Sequence, residues 1–283
     1  MNANIIRAII NIIVHNDYRL KIISKSKNRV NSVGDSLEEF IKDIFASSIN
    51  DNDSIRNKKI ADSFSYLGNS NNPPDIILKN SDAIEVKKIE NLTSDIALNS
   101  SYPKAKLYSK SDMITEACRN CESWIEKDII YAVGVCKGNT LIQLSFVYGI
   151  DYSASDEIYS RIKKRIKEGV LSINNIEFAD TKELGRVNKV DPLGITYLRI
   201  RGMWNIENPL KTFSYVYKRN ENANFNFMAI INKDKWKSLP TSDKDELYLL
   251  SQKNTNLNII DTEIKIPDNP AKYKKAKLIT FFY

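Results

Sequence analysis

Asp75, Glu85 and Lys87 are the residues of this sequence best placed to do chemistry together. They fall within "NNPPDIILKNSDAIEVKK" (71–88), where two short apolar runs flank the turn-forming residues Asn80, Ser81 and Asp82. Side chains alternate along a strand, so Glu85 and Lys87 project from one face while Ile84 and Val86 enter the opposite layer. Asp75 heads the preceding run, and a hairpin brings its carboxylate next to that of Glu85. Two acids and an ammonium converging on a strand that has surface to bury are costly as mere structure. As a site they make sense. Carboxylate oxygens suit one or two Mg²⁺ ions. Such an ion polarises a phosphodiester and acidifies a water, while an ammonium positions that water and offsets the growing negative charge. The structural alternative is a solvated edge strand with alternating charge.

The elements around this run must hold it in place. Residues 3 to 15 carry apolar side chains at Ile5, Ile9, Ile12 and Ile13, the spacing of an amphipathic helix packed on a core. A basic, irregular segment follows, "KIISKSKNRVNSVG". "GDSLEEFIKDIFAS" predicts a second helix, capped by Asp35 or Ser36, with Leu37, Phe40, Ile41, Ile44 and Phe45 buried. Glu38 and Glu39 lie in its first turn, where the helix dipole favours acids. A polar stretch then leads to a short strand, "DSFSYLG". "DMITEACRNCESWIEK" predicts a helix with Ile114, Cys118, Cys121, Trp124 and Ile125 on one face, and "DIIYAVGVCKGNTLIQLSFVYG" a hairpin turning at Lys137, Gly138 and Asn139.

Past residue 150 the character shifts. "SDEIYSRIKKRIKEGV" predicts a basic amphipathic helix with Ile158, Tyr159, Ile162 and Ile166 inward. "FSYVYKRNENANFNFMAII" reads as a second hairpin, "SDKDELYLLS" as a short helix, and the chain closes on strand-like segments. The order of elements gives an α/β or mixed α+β fold around a central mixed sheet flanked by helices. We expect a single domain over 1–283, with a catalytic core at about 30–150 and target-recognition and dimerisation elaborations at about 151–283.

Composition narrows the function classes. Three cysteines and one histidine are too few for a disulfide framework or a comfortable four-ligand zinc site, so Cys118 and Cys121 read as core thiols. Nine glycines and no Gly-rich loop argue against a nucleotide-cradling fold. No run of about 18 apolar residues is present, and the N-terminus lacks the basic region and cleavage site of a leader, which implies a cytoplasmic protein with no membrane partner. A net charge of +7 is compatible with a polyanionic partner without requiring one.

Pro74-Asp75 followed by Glu85-Val86-Lys87 resembles the PD-(D/E)-x-K nuclease motif, a short pattern that also arises by chance. A longer likeness supports it. The runs "NRVNSVGDSLEEFIKDIFA", "NPPDIILKNSDAIEVKKIE", "ALNSSYPKAKL", "ACRNCESWIEKDIIYAVGV" and "ELGRVNKVDPLGITYLRIRGMWNIENP" resemble the NgoPII-type family of type II restriction endonucleases, over most of the first 210 residues. The resemblance implies a restriction-endonuclease-like core and Mg²⁺-dependent double-strand cleavage of DNA at the palindrome GGCC. It also implies a cognate methyltransferase as the other half of a modification system. Asp75, Glu85 and Lys87 are then the catalytic set, with Asp75 and Glu85 on the metal and a further acid from the preceding helix, Glu38 with Glu39 as the alternate; Lys88, beside Lys87, is either the acting lysine or a phosphate contact. Two other readings stay open: a repair or junction nuclease of the same superfamily, and a protein that binds DNA without cutting it.

A palindromic duplex calls for a two-fold symmetric reader, hence a homodimer. Guanines are commonly read by Arg or Lys in the major groove. Candidates are Arg186, Asn188 and Lys189 in "GRVNKVDP", and Arg199 and Arg201 on one face of "LRIRGMW". A second group, Asn99, Ser100, Tyr102, Lys104 and Lys106, follows the catalytic strand, its lysines read as backbone clamps.

Overall fold

The computed structural model describes residues 3–21, 29–69 and 72–283, without the side chains of 29–33 and 69. The basic segment at 22–28 lies outside the described residues. Helix α1 (Ile5–Val14) starts at Asn4, whose side chain accepts the Ile6 and Arg7 amides, and buries seven of its ten residues. Helix α2 (Arg29–Ala46) starts earlier than its sequence suggests, so Asp35 and Ser36 are interior rather than capping. Its apolar stripe behaves as expected: Leu37, Ile41, Ile44 and Phe45 are fully buried.

The polar stretch after α2 is a third helix, α3 (Asp53–Ser63), which the sequence reading passed over. It is capped by Asn52 and buries only Ile60, so it has no apolar period to read. Then come β1 (Phe64–Asn69), β2 (Asn72–Leu78), β3 (Ala83–Ile89), β4 (Ile96–Asn99), β5 (Lys106–Tyr108), a single turn α4 (Glu116–Arg119), β6 (Glu126–Lys137) and β7 (Thr140–Tyr148). The long helix expected over "DMITEACRNCESWIEK" is therefore replaced by turns around α4. Arg119 takes the Ser109 and Ser111 carbonyls, Glu122 takes the Asn80 amide and pairs with Lys127, and Ile125 is exposed rather than buried. The β6–β7 hairpin turns as expected, at Gly138 in the left-handed region (φ 64°).

Beyond β7 lie α5 (Gly149–Tyr152), α6 (Asp156–Leu171), β8 (Gly185–Val187), β9 (Leu198–Ile200), β10 (Trp204–Ile206), α7 (Pro209–Thr212), β11 (Asn226–Asn232), α8 (Lys233–Ser238), α9 (Thr241–Lys253), β12 (Leu257–Ile266) and β13 (Asn269–Phe282). The second hairpin does not form. Phe213 and Tyr217, four residues apart, are buried in a run of turns after α7, and only 226–232 is a strand.

The main sheet runs β1-β2-β3-β6-β7-β11-β13-β12, with β5 added on β6. It is mixed: β3–β6 and β7–β11 are parallel, the other pairs antiparallel. Residues assigned by sequence to elaborations beyond 150 thus supply three strands of this sheet. One face carries α1, α2 and α9 over Ile84, Ile130, Phe146 and Phe227; the other packs Ile77, Val133, Met228 and Ile230 against Phe213 and Tyr217. Two small pairs stand outside it, β4 with β10 and β8 with β9. No helix among the described residues is long and apolar enough to cross a membrane.

Candidate active site

The β2–β3 ladder pairs Ile77 with Ala83 and Ile76 with Ile84 and then stops. The next opposed positions are Asp75 and Glu85. Where the strands part, the Val86 amide has lost a partner in β2, and the Asp75 carboxylate accepts it at 2.7 Å. Alternation places Asp75 on the face of Ile77, and Glu85 and Lys87 on the face of Ala83 and Ile89, while Ile76, Ile84 and Val86 turn to the helical layer. The sheet therefore keeps one apolar surface whole and opens a polar notch in the other.

Inside the notch, Lys87 Nζ lies 2.5 Å from Glu85 Oε1. Glu85 is buried, and its Oε2 has no hydrogen-bond partner. Burial and the Glu85 charge push the Asp75 carboxyl up to about 8. Burial acts against the Lys87 ammonium, but Glu85, Asp75 and Glu38 outweigh it and hold its pKa above the ordinary lysine value. Asp75 and Glu85 are hard oxygen donors, one of them with an orphaned buried oxygen, and this donor set fits Mg²⁺. Among the described residues no three His, Cys, Asp or Glu side chains close into a metal cluster.

The two acids of α2 differ in what they do. Glu39 Oε2 holds Arg56 at 2.6 Å, and Glu39 also takes Lys42 at 2.9 Å. Burial works against its charge, but Arg56 and Lys42 keep its pKa low. Among the described residues Glu38 pairs with Lys42, at 2.8 Å, and its field reaches both Asp75 and Lys87. Lys88 turns to the face opposite Lys87 and pairs with Glu90 at 2.9 Å.

Gly68 is a site residue that the sequence reading missed. A Cβ there would stand 2.4 Å from the Pro74 carbonyl oxygen and 2.9 Å from that of Asp75. The signal was present, since glycine within a strand marks a close backbone approach. Tyr131 was also missed. It stands opposite Glu85 in the β3–β6 ladder, fully buried, with its hydroxyl accepting the Lys104 amide at 2.7 Å.

The residues read from sequence as DNA contacts fall into three situations. Lys104 is buried, 3.8 Å over the Tyr102 ring and 3.4 Å from Asp156, while Lys106 is 2.5 Å from Glu126. Burial lowers the Lys104 pKa despite Asp156. The Tyr102 hydroxyl donates to Asp156 at 3.0 Å, and its ring meets Tyr159 and Trp204. Both lysines are thus committed to acids within the chain, and this cluster pins α6 to the loop between β4 and β5. Arg199 and Arg201 converge on Glu183. Arg186, Asn188, Lys189 and Asn99 are exposed, and Ser100 is half-buried. Helix α6 buries none of its residues; Ile162 and Ile166, expected inward, are exposed. Cys118 is buried and Cys121 half-buried, both free, with burial pushing the Cys118 thiol up to about 12.

An acid pair opened by strand divergence, with a lysine two residues after the second acid, is the arrangement expected of a metal-assisted phosphodiesterase. Comparison with known proteins agrees. A family model described as the NgoPII restriction endonuclease matches residues 3–265. The chain is 54% identical over 279 residues to the type II restriction enzyme NgoPII of Neisseria gonorrhoeae, covering 98% of this chain and 99% of that one. No solved structure matches. With its notch, its mixed sheet and a match that spans nearly its whole length, the chain belongs to the NgoPII restriction endonuclease family.

Proposed function

We propose that this endonuclease makes Mg²⁺-dependent double-strand breaks at the palindrome GGCC. It acts as a cytoplasmic homodimer whose host DNA is protected by a cognate methyltransferase. The observation that carries the reading is the divergence of β2 and β3 at Asp75 and Glu85, with Lys87 held 2.5 Å from Glu85. The relative's name supports restriction activity; the metal and the target are our inference from the site and the family.

Asp75 and Glu85 would hold the ion, Glu85 through its unpartnered Oε2. When bound, the ion supplies Lewis-acid polarisation of the phosphodiester and a more acidic water. Lys87 carries its charge through the neutral range and is placed to orient the attacking water and neutralise charge on the non-bridging oxygens. Its partner Glu85 keeps it from swinging out of the notch. Glu38 contributes by its field on Asp75 and Lys87 rather than by contact. Lys88, on the other face, has no part in the chemistry.

Target reading is assigned to the exposed residues around β8 and β9, Arg186, Asn188 and Lys189 first, with Arg199 and Arg201 available if DNA draws them from Glu183. The test is digestion of unmethylated plasmid with Mg²⁺ or EDTA, beside Glu85→Ala. Discrete fragments ending at GGCC, lost with EDTA and in the variant, are expected. Discrete fragments at another sequence would discard the target. Binding without cleavage under any divalent ion would leave a DNA-binding protein.

A further inference from the structure

The segment between β8 and β9 forms a closed, self-supporting tip. Asp191 turns its carboxylate back onto the chain, accepting the Thr196 amide at 2.7 Å and the Ile195 amide at 3.3 Å. The Gly194 amide donates to the Asp191 carbonyl at 2.9 Å, and Val190 donates to the Thr196 carbonyl at 3.0 Å. Gly194 sits at φ 70°, a conformation open to glycine at no steric cost. The loop is thus fixed before it meets anything. At its apex stands Leu193, 85% exposed, the most exposed large apolar side chain among the described residues, with Ile195 beside it at 79%.

Val190, Leu193, Ile195 and Tyr197, each more than half exposed, make an apolar tip that invites a partner, and the surrounding charge says which kind. Residues 181–203 carry five cations against two acids. Both acids are spoken for. Asp191 faces its own backbone amides, and Glu183 is covered by Arg199 and Arg201. The outward surface is therefore apolar at the tip and cationic at the sides, where Arg186 and Lys189 are exposed. That combination suits a polyanion with an apolar interior, which a stacked duplex is. The hairpin is also joined to the chemistry: β10, directly after it, pairs with β4, Trp204 standing opposite Asn99, and β4 follows the catalytic strand β3.

We propose that Leu193 enters the substrate duplex as an apolar wedge between stacked bases, with the exposed Arg186 and Lys189 beside it on the same duplex. The inference rests on the DNA-cleavage reading above and names a contact that reading does not require. Insertion of a wedge bends the duplex and opens one base step, bringing more of the backbone within reach of the protein.

The experiment uses full-length protein and a set of short duplexes, each with one cleavage site and one fluorescent base, 2-aminopurine for a flanking adenine or a fluorescent guanine analogue for a guanine of the site, moved stepwise through the site and its flanks. Ca²⁺ replaces Mg²⁺ for the fluorescence measurements. Wild type is expected to brighten the probe several-fold at one step, Leu193→Met to keep that signal, and Leu193→Ala to lose it. Cleavage kcat/KM should fall at least tenfold in Leu193→Ala, with the melting temperature unchanged. Absence of brightening at every step, or brightening and cleavage unaltered in Leu193→Ala, overturns the wedge. Loss of dimer in Leu193→Ala on sedimentation overturns it too, and gives the tip to a second copy of the chain. Site-specific cleavage by wild type in Mg²⁺ is checked first. Failure there rejects the function reading itself, whereas failure of the fluorescence alone rejects only the wedge.

Discussion

The Asp75 carboxylate accepts the Val86 amide at 2.7 Å at the point where β2 and β3 stop pairing. One acid therefore serves as a stand-in for a missing strand bond and as a candidate metal ligand. Burial raises its pKa to about 8, against about 3.8 for the free side chain. Because the folded pKa is the higher, folding is unopposed by this group below pH 4, and its contribution becomes increasingly unfavourable as pH rises to about 8, then stays constant. Asp75→Asn keeps an acceptor for Val86 and removes the charge. Metal-free Asp75→Asn should melt above wild type, by a margin that grows from pH 4 to 8 and then levels. Thermal melts in EDTA across pH 4–9 check this; a constant margin would refute the assignment. Mg²⁺ binding to the same group should release a proton and tighten up to about pH 8.

Glu38 and Glu39 should separate by phenotype. Glu38→Gln removes a charge acting on Asp75 and Lys87 and is expected to lower the cleavage rate with little loss of stability. Glu39→Gln instead loosens Arg56 and Lys42 and should cost about 1–2 kcal/mol with near-normal cleavage. Denaturant melts beside single-turnover cleavage read both quantities.

Gly68→Ala should be a strand-displacing change rather than a mild one. Its Cβ would meet the backbone oxygens of Pro74 and Asp75, which cannot rotate away as a side chain can. The expected cost is about 1–3 kcal/mol, with cleavage reduced further than stability predicts because Asp75 itself moves. Assays at a temperature where the variant is fully folded isolate the second effect.

Lys235→Ala should be among the most destabilising surface-adjacent changes. Lys235 is shared between Asp82 and Asp128, with Asp128 at 2.8 Å, and Asp82 also accepts the Tyr148 hydroxyl at 2.8 Å. Asp82 is buried, so losing the cation leaves an uncompensated charge, at about 3–5 kcal/mol. Asp82→Asn with Lys235→Met should recover most of that loss. A double variant no more stable than Lys235→Ala would show that the cost arises elsewhere.

Sequence revealed the parts of this fold that repeat with a clear period. The stripe of Leu37, Ile41, Ile44 and Phe45 marks α2, and the alternation through Glu85 and Lys87 marks β3, so the acid pair and lysine were legible before any coordinates. What escaped was set by single tertiary contacts. Helix α3 shows only Ile60 to the core. The turns around α4 follow from Arg119 and Glu122 reaching carbonyls and amides outside their own segment. The orientation of α6 depends on Tyr102 and Lys104 meeting Asp156. The difference between Glu38 and Glu39 depends on Arg56, seventeen positions after Glu39. None of these leaves a mark in local composition.

The Lys235 contact has a bearing on how the protein is made. Asp75, Glu85 and Lys87 leave the ribosome long before residue 235, and β11 must slot between β7 and β13 to complete the sheet. Until then Asp82, at the turn joining β2 and β3, lacks its counter-charge. A nascent or prematurely terminated chain thus carries the full acid pair and lysine without the frame that sets them. The turn between β2 and β3 gains its counter-charge from a residue 153 positions further along the chain.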